Sequence, residues 1–240
     1  MHIEDIPYQA EGRNMVGHLA FDDQFPGRRP AVLVSHEGSG LDQHAKGIAE
    51  RLAALGYIAF ALDYFGDGKC PPFEQAQERM GVLVSDPEQT ARLARAGLDV
   101  LLAQDAADAG RVAAIGYCFG GVVSLELART GADLKAVVGF HPGFTPPRPA
   151  DSANIRASVL ICCGTEDPFA GPDERLAFEA EMREAGVADW RLELYGGVKH
   201  SFTNPAADQL TIPGFGYDAR ADRRSWRSML ELFGDVLGPA

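Results

Sequence analysis

Short apolar runs alternate with amphipathic segments in the first part of the chain. Ala31–Ser35 (AVLVS) and Tyr57–Leu62 (YIAFAL) are apolar almost throughout, which is typical of strands buried on both faces of a sheet. Between these two runs, apolar residues recur at helical spacing: Ile48, Ala49, Leu52 and Leu55. The pattern predicts a helix that begins near Asp42 and ends at Gly56, a residue type that suits a left-handed helix end.

The same alternation continues through the rest of the chain. Asp86–Gln89 (DPEQ) is a strong helix start, because Asp can cap, Pro fits the first helical position and Gln completes a capping box. Further strands are predicted at Arg111–Tyr117, Lys135–Phe140, Ser158–Gly164 and Trp190–Tyr195. Further helices are predicted at Phe119–Thr130, at Pro172–Ala185 and along the amphipathic segment Trp226–Leu237.

Buried strands that alternate with helices predict an α/β fold with a mostly parallel central sheet and helices on both faces. Ile3–Ala10 and Met15–Phe21 are strand-like and are joined at Glu11–Asn14, which predicts an antiparallel hairpin ahead of that sheet. Pro142–Arg156 has the composition of a loop. We interpret it as a surface loop within one domain that spans residues 1–240.

Charge and composition argue against several classes of function. The 240 residues include 22 Lys and Arg and 34 Asp and Glu, a net charge of −12. Such a surface repels phosphate backbones, so we expect no nucleic-acid partner. No apolar run approaches the roughly 18 residues that a membrane helix needs, and the first residues are polar where a signal peptide is basic and then apolar. We therefore expect a cytoplasmic protein that does not associate with membranes.

The four cysteines form no CxxC pair, so we expect no metal site. Cys162 and Cys163 lie inside an apolar run and are predicted to be small buried residues, whereas Cys70 has loop surroundings. No glycine-rich dinucleotide motif and no phosphate-binding loop motif occurs, so we expect no cofactor.

The ends of the predicted strands carry the candidate chemistry. In a parallel sheet, ligands bind outside the carboxyl ends of the strands. A cysteine, an acid and a histidine follow three of these ends in that order: Cys118, Asp167 and His200. This is the chain order of nucleophile, acid and base in an α/β-hydrolase.

Gly116–Gly120 (GYCFG) matches the nucleophile-elbow pattern G-x-S-x-G with cysteine in place of serine. Its central residue, Cys118, is expected in a strained turn between a strand and a helix, where larger side chains at the glycines would collide with neighbouring backbone. The N–H groups at the helix start favour a thiolate and the oxyanion formed on attack. The alternative is a tight turn that happens to bury a cysteine.

The acid and the base each have rivals. Asp167 lies in the segment GTEDP, where Glu166 is the other candidate and where an aspartate before proline is also common in simple turns. His200 follows the last predicted strand, while five other histidines occur at positions 2, 18, 36, 44 and 141. We favour Asp167 and His200, because an acid there can orient the imidazole and stabilise its charged form.

At these motifs the sequence resembles the dienelactone hydrolase family, also called carboxymethylenebutenolidases, of the α/β-hydrolase fold. The resemblance rests on four segments: Ser35–Gly38 (SHEG), Gly116–Gly121 (GYCFGG), Gly164–Asp167 (GTED) and His200–Phe202 (HSF). It extends over nearly the whole chain, including the closing amphipathic helix. The resemblance implies the α/β-hydrolase fold and hydrolysis of a small ester or lactone.

The resemblance also implies a role for each matching residue. Cys118 would attack the carbonyl carbon, His200 would transfer the proton and then activate water, and Asp167 would orient His200. The backbone N–H groups of Phe119 and Gly38 would form the oxyanion hole. The glutamate that matches Glu37 interacts with the thiol in this family and helps to control its ionisation.

One departure from the family pattern bears on the substrate. Family members that act on the ring-cleavage lactone hold its carboxylate with two arginines, one of them in an H-x-F-x-R pattern. Here Asn204 stands at that arginine position, although Arg79 is a loose match to the other and Lys199 could supply a point charge. Tyr64, Phe65 and Phe202 are the aromatic residues that we expect near the acyl group. The loop Thr211–Gly216 (TIPGFG) could cover the pocket mouth.

The leading prediction is a hydrolase of small esters or lactones with a cysteine nucleophile, either a monomer or a small homo-oligomer. A general carboxylesterase or thioesterase with a neutral substrate is the alternative within the enzymes. A small-molecule receptor built on a hydrolase scaffold is an alternative from another class, because fold alone does not give function. A thiol redox sensor has less support, since no resolving cysteine lies near Cys118.

Overall fold

A single eight-stranded sheet organises the computed structural model, which describes residues Met1–Ala240. Its strands are β1 (His2–Ala10), β2 (Arg13–Phe21), β3 (Arg29–Ser35), β4 (Ile58–Leu62), β5 (Ala107–Tyr117), β6 (Ala136–Phe140), β7 (Ser158–Gly164) and β8 (Trp190–Tyr195). They lie side by side in the order β1-β2-β4-β3-β5-β6-β7-β8. Strands β3 to β8 are parallel, and the β1–β2 hairpin joins β4 in antiparallel orientation. The predicted mostly parallel sheet with an antiparallel N-terminal edge is confirmed.

Helices cover both faces of this sheet. They are α1 (Gln43–Ala53), α2 (Phe73–Ser85), α3 (Pro87–Leu102), α4 (Phe119–Arg129), α5 (Pro149–Ser152), α6 (Pro172–Glu184) and α7 (Ala219–Val236), with a 3₁₀ turn at Pro205–Gln209. Alternate residues of β3 serve the two faces. Ala31 and Leu33 pack in the core with α3, α4 and α6, whereas Val32 and Val34 pack in the core with α1 and α7.

Local sequence signals set the helix ends. The Asp42 side chain accepts a hydrogen bond from the Ala45 N–H at the start of α1, and Asp86 caps α3 through the Gln89 N–H. Gly56 lies beyond α1 with a φ of 97°, which only glycine adopts without strain. These helices begin within a residue of their predicted starts.

Helix α2 and two shorter elements were not predicted, and α7 begins at Ala219, well before the predicted Trp226. The segment Pro142–Arg156, interpreted as a loop, contains the four-residue helix α5. The 3₁₀ turn at Pro205–Gln209 follows the Asn204 side chain, which accepts a hydrogen bond from the Ala206 N–H. Elements of about one turn are too short for hydrophobic periodicity to reveal them. No helix of the structure combines the length and the apolar character needed to cross a membrane.

Candidate active site

The parallel strands bring four loops to one edge of the sheet. Ser35 at the end of β3 pairs with Gly116 near the end of β5, and Gly164 at the end of β7 pairs with Tyr195 at the end of β8. The residues that follow these ends therefore meet at the same edge. Sequence reasoning predicted this meeting point, and the structure shows how its side chains are arranged.

Cys118 lies in a strained turn between β5 and α4. Its φ of 53° and ψ of −123° are unusual for a residue with a side chain, and it precedes the first residue of α4. A Cβ atom added at Gly116 would overlap the Gly120 carbonyl, and one added at Gly120 would overlap the Ser35 carbonyl. The two glycines therefore allow the close approach that the elbow requires, and the thiol stands at the positive end of the α4 dipole.

His200 and Asp167 form a buried hydrogen-bonded pair. Asp167 Oδ2 accepts a hydrogen bond from His200 Nδ1 at 2.8 Å, and Asp167 Oδ1 accepts one from the Phe169 N–H, also at 2.8 Å. Both side chains are fully buried. The rival acid, Glu166, is exposed to solvent. Of the two carboxylates in this loop, only Asp167 contacts the imidazole.

The second nitrogen of His200 faces the thiol side of the site. With Nδ1 committed to Asp167, Nε2 is buried and has no hydrogen-bond partner. Burial acts to lower the pKa of His200, but a thiolate at Cys118, once it forms, and the hydrogen bond to Asp167 outweigh burial and raise that pKa to about 10. The surroundings of His200 therefore stabilise its charged form, as a base that accepts the thiol proton requires.

Asn204 holds the carboxyl group of Glu37. The Asn204 amide donates a 2.7 Å hydrogen bond to Glu37 Oε2, while Oε1 is buried without a hydrogen-bond partner and lies 3.9 Å from His141 Nε2. Burial raises the pKa of Glu37 above its ordinary value, which favours the neutral acid. No hydrogen bond joins Glu37 to the Cys118 thiol. The residue that replaces the family arginine thus binds the family glutamate in this chain.

His141 connects the nucleophile turn to the loop that carries the base. The Cys118 N–H donates to His141 Nδ1 at 3.1 Å, and Nε2 lies 2.8 Å from Thr203 Oγ1. The same Cys118 N–H also donates to the Phe140 carbonyl at 2.9 Å. Because a backbone N–H can only donate, its contact with the ring fits the tautomer in which Nδ1 is unprotonated and Nε2 carries the hydrogen. Burial and the charge of His200 lower the pKa of His141 well below its ordinary value, so the ring stays neutral. Sequence analysis left His141 among the rivals of His200, and position after a strand was the only available signal.

Tyr64 and Phe202 pack behind the site. The Tyr64 hydroxyl donates to the His36 carbonyl and its ring stacks on His36 at 3.7 Å, while Phe202 packs edge-on against His141 at 5.2 Å. Both aromatic rings are almost fully buried. Tyr64 also lines a groove together with Arg79, so contact between these rings and the acyl group stays a prediction. Their hydrogen bond and ring contacts help to fix the loops that follow β3 and β8.

Two backbone N–H groups fit the predicted oxyanion hole. Phe119 is the first residue of α4, so its N–H has no partner within the helix, and Gly38 lies in the loop after β3. Neither N–H donates a hydrogen bond in the structure. The loop of Gly38 is fixed by His36, whose Nδ1 donates a 2.6 Å hydrogen bond to the Glu37 carbonyl. Both donors are thus available for a ligand oxygen.

The two basic candidates line two different grooves. Arg79 donates a 2.6 Å hydrogen bond to the Phe65 carbonyl and lines a groove of about 670 Å³ that includes none of the triad candidates. Lys199 is exposed and lines a separate groove with the loop Thr211–Gly216. That loop contacts the site through Gly214, whose carbonyl accepts the His200 N–H, and through the ring of Phe215.

No group of three or more His, Cys, Asp or Glu side chains is arranged to hold a metal ion. Cys162 and Cys163 are buried in β7, and Cys70 is exposed.

Comparisons with known proteins show the family of this chain. A family model described as the dienelactone hydrolase family matches residues 15–237. The solved protein m3DLH is 44% identical over 98% of both chains, with a TM-score of 0.94. A solved dienelactone hydrolase-like promiscuous phosphotriesterase from metagenomic libraries is 40% identical over 99% of both chains, with a TM-score of 0.95.

A curated relative gives the same family. A protein of Escherichia coli (strain K12) that carries the provisional name carboxymethylenebutenolidase is 28% identical over 93% of this chain and 83% of its own length. These similarities indicate a hydrolase that acts on ester or lactone bonds. With the family match spanning almost the whole sheet and every loop of the site, the chain belongs to the dienelactone hydrolase family.

Proposed function

We propose that this protein hydrolyses small esters or lactones through a triad of Cys118, His200 and Asp167. The observation that carries the proposal is the strained turn at Cys118 placed against the buried His200–Asp167 pair. Nothing else in the site combines a nucleophile, a base and an acid that orients the base.

In the first half of the reaction, His200 Nε2 takes the proton of the Cys118 thiol. The sulfur then bonds to the carbonyl carbon, and the π electron pair moves onto oxygen, where the N–H groups of Phe119 and Gly38 stabilise the charge. When the oxyanion collapses, the C–O bond to the leaving group breaks, and its oxygen takes the proton from Nε2. In a lactone the leaving oxygen stays tethered to the acyl chain.

In the second half, water releases the acyl group. His200 Nε2 accepts a proton from water while the water oxygen bonds to the thioester carbon. Collapse of the second oxyanion breaks the C–S bond, the sulfur recovers a proton, and the acid product leaves. Asp167 stabilises the imidazolium in both halves through its hydrogen bond to Nδ1.

Glu37 is the group that we assign to control of the thiol. A carboxylate next to Cys118 disfavours the thiolate, whereas a neutral carboxyl does not. Burial favours the neutral form of Glu37, and Asn204 fixes the side chain. The proton on Glu37 therefore governs the charge beside the nucleophile.

A labelling experiment tests this role of Glu37. The rate of iodoacetamide labelling of Cys118 is measured against pH in the wild type and in Glu37→Gln, both with Cys70→Ser because Cys70 is exposed. We expect the two pH profiles to differ in midpoint. Superimposable profiles would contradict the role of Glu37 and leave the triad untouched.

Turnover of matched substrates tests the hydrolase itself. We expect hydrolysis of p-nitrophenyl acetate that disappears in Cys118→Ala, together with a thioester adduct on Cys118 detectable by intact mass. A carboxylate-bearing dienelactone in the same assay reports on the substrate charge, and we expect no preference for it, since Asn204 replaces one arginine. Tight binding of these compounds without Cys118-dependent turnover would favour a receptor instead.

Phosphotriesters are a second candidate substrate. The 40% identical neighbour is described as a promiscuous phosphotriesterase, and it covers 99% of this chain. The same thiolate could attack phosphorus and expel an alcohol that takes its proton from His200. Release of p-nitrophenol from a neutral phosphotriester, absent in Cys118→Ala, is the expected result. Release at the same rate in the variant would contradict it.

A further inference from the structure

Two aromatic rings flank the imidazole of His200. The Phe169 ring centroid lies 4.9 Å from that of His200, and the Phe215 ring centroid lies 4.7 Å from it, both edge-on. The two phenylalanine rings are themselves 6.0 Å apart at 83°. Together they form an aromatic pair beside the base, which we call the Phe169–Phe215 pair.

Phe169 is held in place and yet exposed. Its N–H donates to Asp167 Oδ1, so the backbone that carries the ring is fixed to the acid of the triad. Pro168 packs against Gly214, which links this loop to the one that carries Phe215. Even so, Phe169 is 50% exposed. A half-exposed ring held in place beside the base is available to contact a bound ligand.

The proposed reaction places the leaving group next to this pair. The leaving oxygen must take its proton from His200 Nε2, because Nδ1 is held by Asp167. The substituent on that oxygen therefore sits beside the imidazole. The carbonyl oxygen, by contrast, is directed to the N–H groups of Phe119 and Gly38, which belong to other loops.

We propose that the Phe169–Phe215 pair is a leaving-group subsite for apolar, aromatic alcohols. The proposal rests on the hydrolase function and names the substrate class for it: esters whose alcohol part carries an aromatic ring. Such a ring replaces water at the exposed face of Phe169 and packs against both phenylalanines, in the offset or edge-on arrangements that aromatic rings prefer. No charged side chain takes part in these ring contacts, so the subsite favours a neutral alcohol.

Two acetate esters isolate the leaving group. Benzyl acetate and ethyl acetate share the acyl group, and their alcohols have similar acidity, so the ratio of their kcat/KM values reports mainly on contacts with the alcohol. We expect the wild type to prefer benzyl acetate and Phe169→Ala to lower that ratio by about 3- to 10-fold. Phe215→Ala should lower it in the same direction.

Two further variants keep the test specific. Phe169→Leu retains apolar bulk without a ring and should fall between the wild type and Phe169→Ala. Leu194→Ala on β8 removes a side chain of matching exposure, 48%, and should leave the ratio unchanged. A wild-type circular dichroism spectrum shows that each variant is folded. Labelling of Cys118 by iodoacetamide at the wild-type rate shows that the thiol is intact.

The outcomes separate the subsite from the hydrolase function. A ratio that is the same in the wild type, Phe169→Ala and Phe215→Ala overturns the subsite while Cys118-dependent turnover stands. Hydrolysis of both esters that persists in Cys118→Ala overturns the hydrolase proposal and the subsite with it. A ratio that falls as much in Leu194→Ala as in Phe169→Ala also overturns the subsite.

Discussion

Two buried polar clusters in this molecule differ in how completely their atoms are paired. The first lies among α4, α5 and α6, behind the elbow helix. There Arg129 donates to Glu126 at 2.7 Å, to Glu181 at 2.8 Å and to Ser152 at 3.0 Å, and Ser152 donates to Glu181 at 2.7 Å. Arg148 reaches the same two carboxylates through its guanidinium and its backbone N–H.

The second cluster surrounds Cys118 and leaves several buried atoms without partners. They include Glu37 Oε1 and His200 Nε2. A few buried atoms elsewhere also lack a partner, among them Arg29 Nε and the two His44 nitrogens. None of the side-chain nitrogen and oxygen atoms of the Arg129 cluster is in that state. Both clusters lie in the interior, so burial alone does not explain the difference.

The difference in pairing indicates a structural role for the first cluster and a ligand-binding role for the second. A buried polar atom without a partner costs stability, so native structures rarely keep one without a reason. In the Arg129 cluster each carboxylate is paired with a guanidinium, and no fully buried side-chain atom lacks a partner. The Cys118 cluster keeps open donors and acceptors where a substrate would bind, and functional sites are where proteins accept such a cost. Substitutions in the first cluster should therefore lower stability, whereas those in the second should change activity without lowering stability.

The largest effect is expected for Asp167→Asn. The change removes the charge and weakens the hydrogen bond that raise the pKa of His200, and an amide can hold the ring in the wrong tautomer. We expect kcat/KM for p-nitrophenyl acetate to fall by roughly 10⁴-fold, with Tm changed only slightly. The exposed neighbour Glu166→Gln is the control and should retain wild-type activity. A loss of similar size in both variants would contradict the assignment of the acid.

Arg129→Met should produce the opposite pattern. It leaves Glu126 and Glu181 buried without their main cation, which costs about 3–5 kcal/mol in the free energy of unfolding. Urea denaturation measures that cost, while kcat/KM per folded molecule should stay near the wild-type value. Arg183→Met removes an exposed pair with Glu179 and should cost about 0–1 kcal/mol. Equal losses in the two variants would show that burial of the cluster does not matter.

Glu37→Gln should stabilise the protein in a pH-dependent way. The pKa of Glu37 is raised in the folded state above the ordinary 4.5, so the folded protein binds more protons than the unfolded chain as pH rises past that value. Stability then falls with increasing pH in the wild type, and the variant escapes this loss. The Tm of the variant should exceed that of the wild type at pH 8 and approach it near pH 4. At pH 8 each kcal/mol of added unfolding free energy raises the Tm by about 2–4 °C.

The comparison variant for this measurement is Glu166→Gln, because Glu166 is exposed. Its Tm should follow the wild type at both pH values. A Glu37→Gln protein that is less stable than the wild type at pH 8 would mean that the carboxylate is stabilised by its surroundings.

The sequence predicted the parts of this site that follow from backbone form. Gly116 and Gly120 are needed for the turn at Cys118, and order along the parallel strands placed Asp167 and His200, so the pattern alone gave all three candidates. The sheet, its antiparallel edge and most helix ends followed from hydrophobic periodicity and capping residues.

The contacts that the sequence did not predict depend on where side chains point after distant loops have packed together. Asn204 and Glu37 are 167 positions apart, and their hydrogen bond is fixed only when the loops after β3 and β8 have packed. His141 acquires its role from the Cys118 N–H in the same way. Phe202 follows a strand as an exposed pocket residue would, yet its ring points into the core, and a single sequence does not distinguish the two directions.

The smallest effect on activity is expected for Arg79→Leu. This variant tests whether Arg79 belongs to the substrate site around Cys118. One guanidinium N–H is held by the Phe65 carbonyl, and the side chain lines a groove that contains none of Cys118, Asp167 and His200. Because the Phe65 carbonyl already takes one of its N–H groups, we expect the guanidinium to make no bidentate pair with a substrate carboxylate. The kcat/KM ratio of a carboxylate-bearing dienelactone to p-nitrophenyl acetate should therefore change by less than about threefold. Asn204→Arg is the reference, since it adds a cation beside Glu37 and should raise that ratio more than Arg79→Leu lowers it. A larger fall with Arg79→Leu would place the groove within the substrate site.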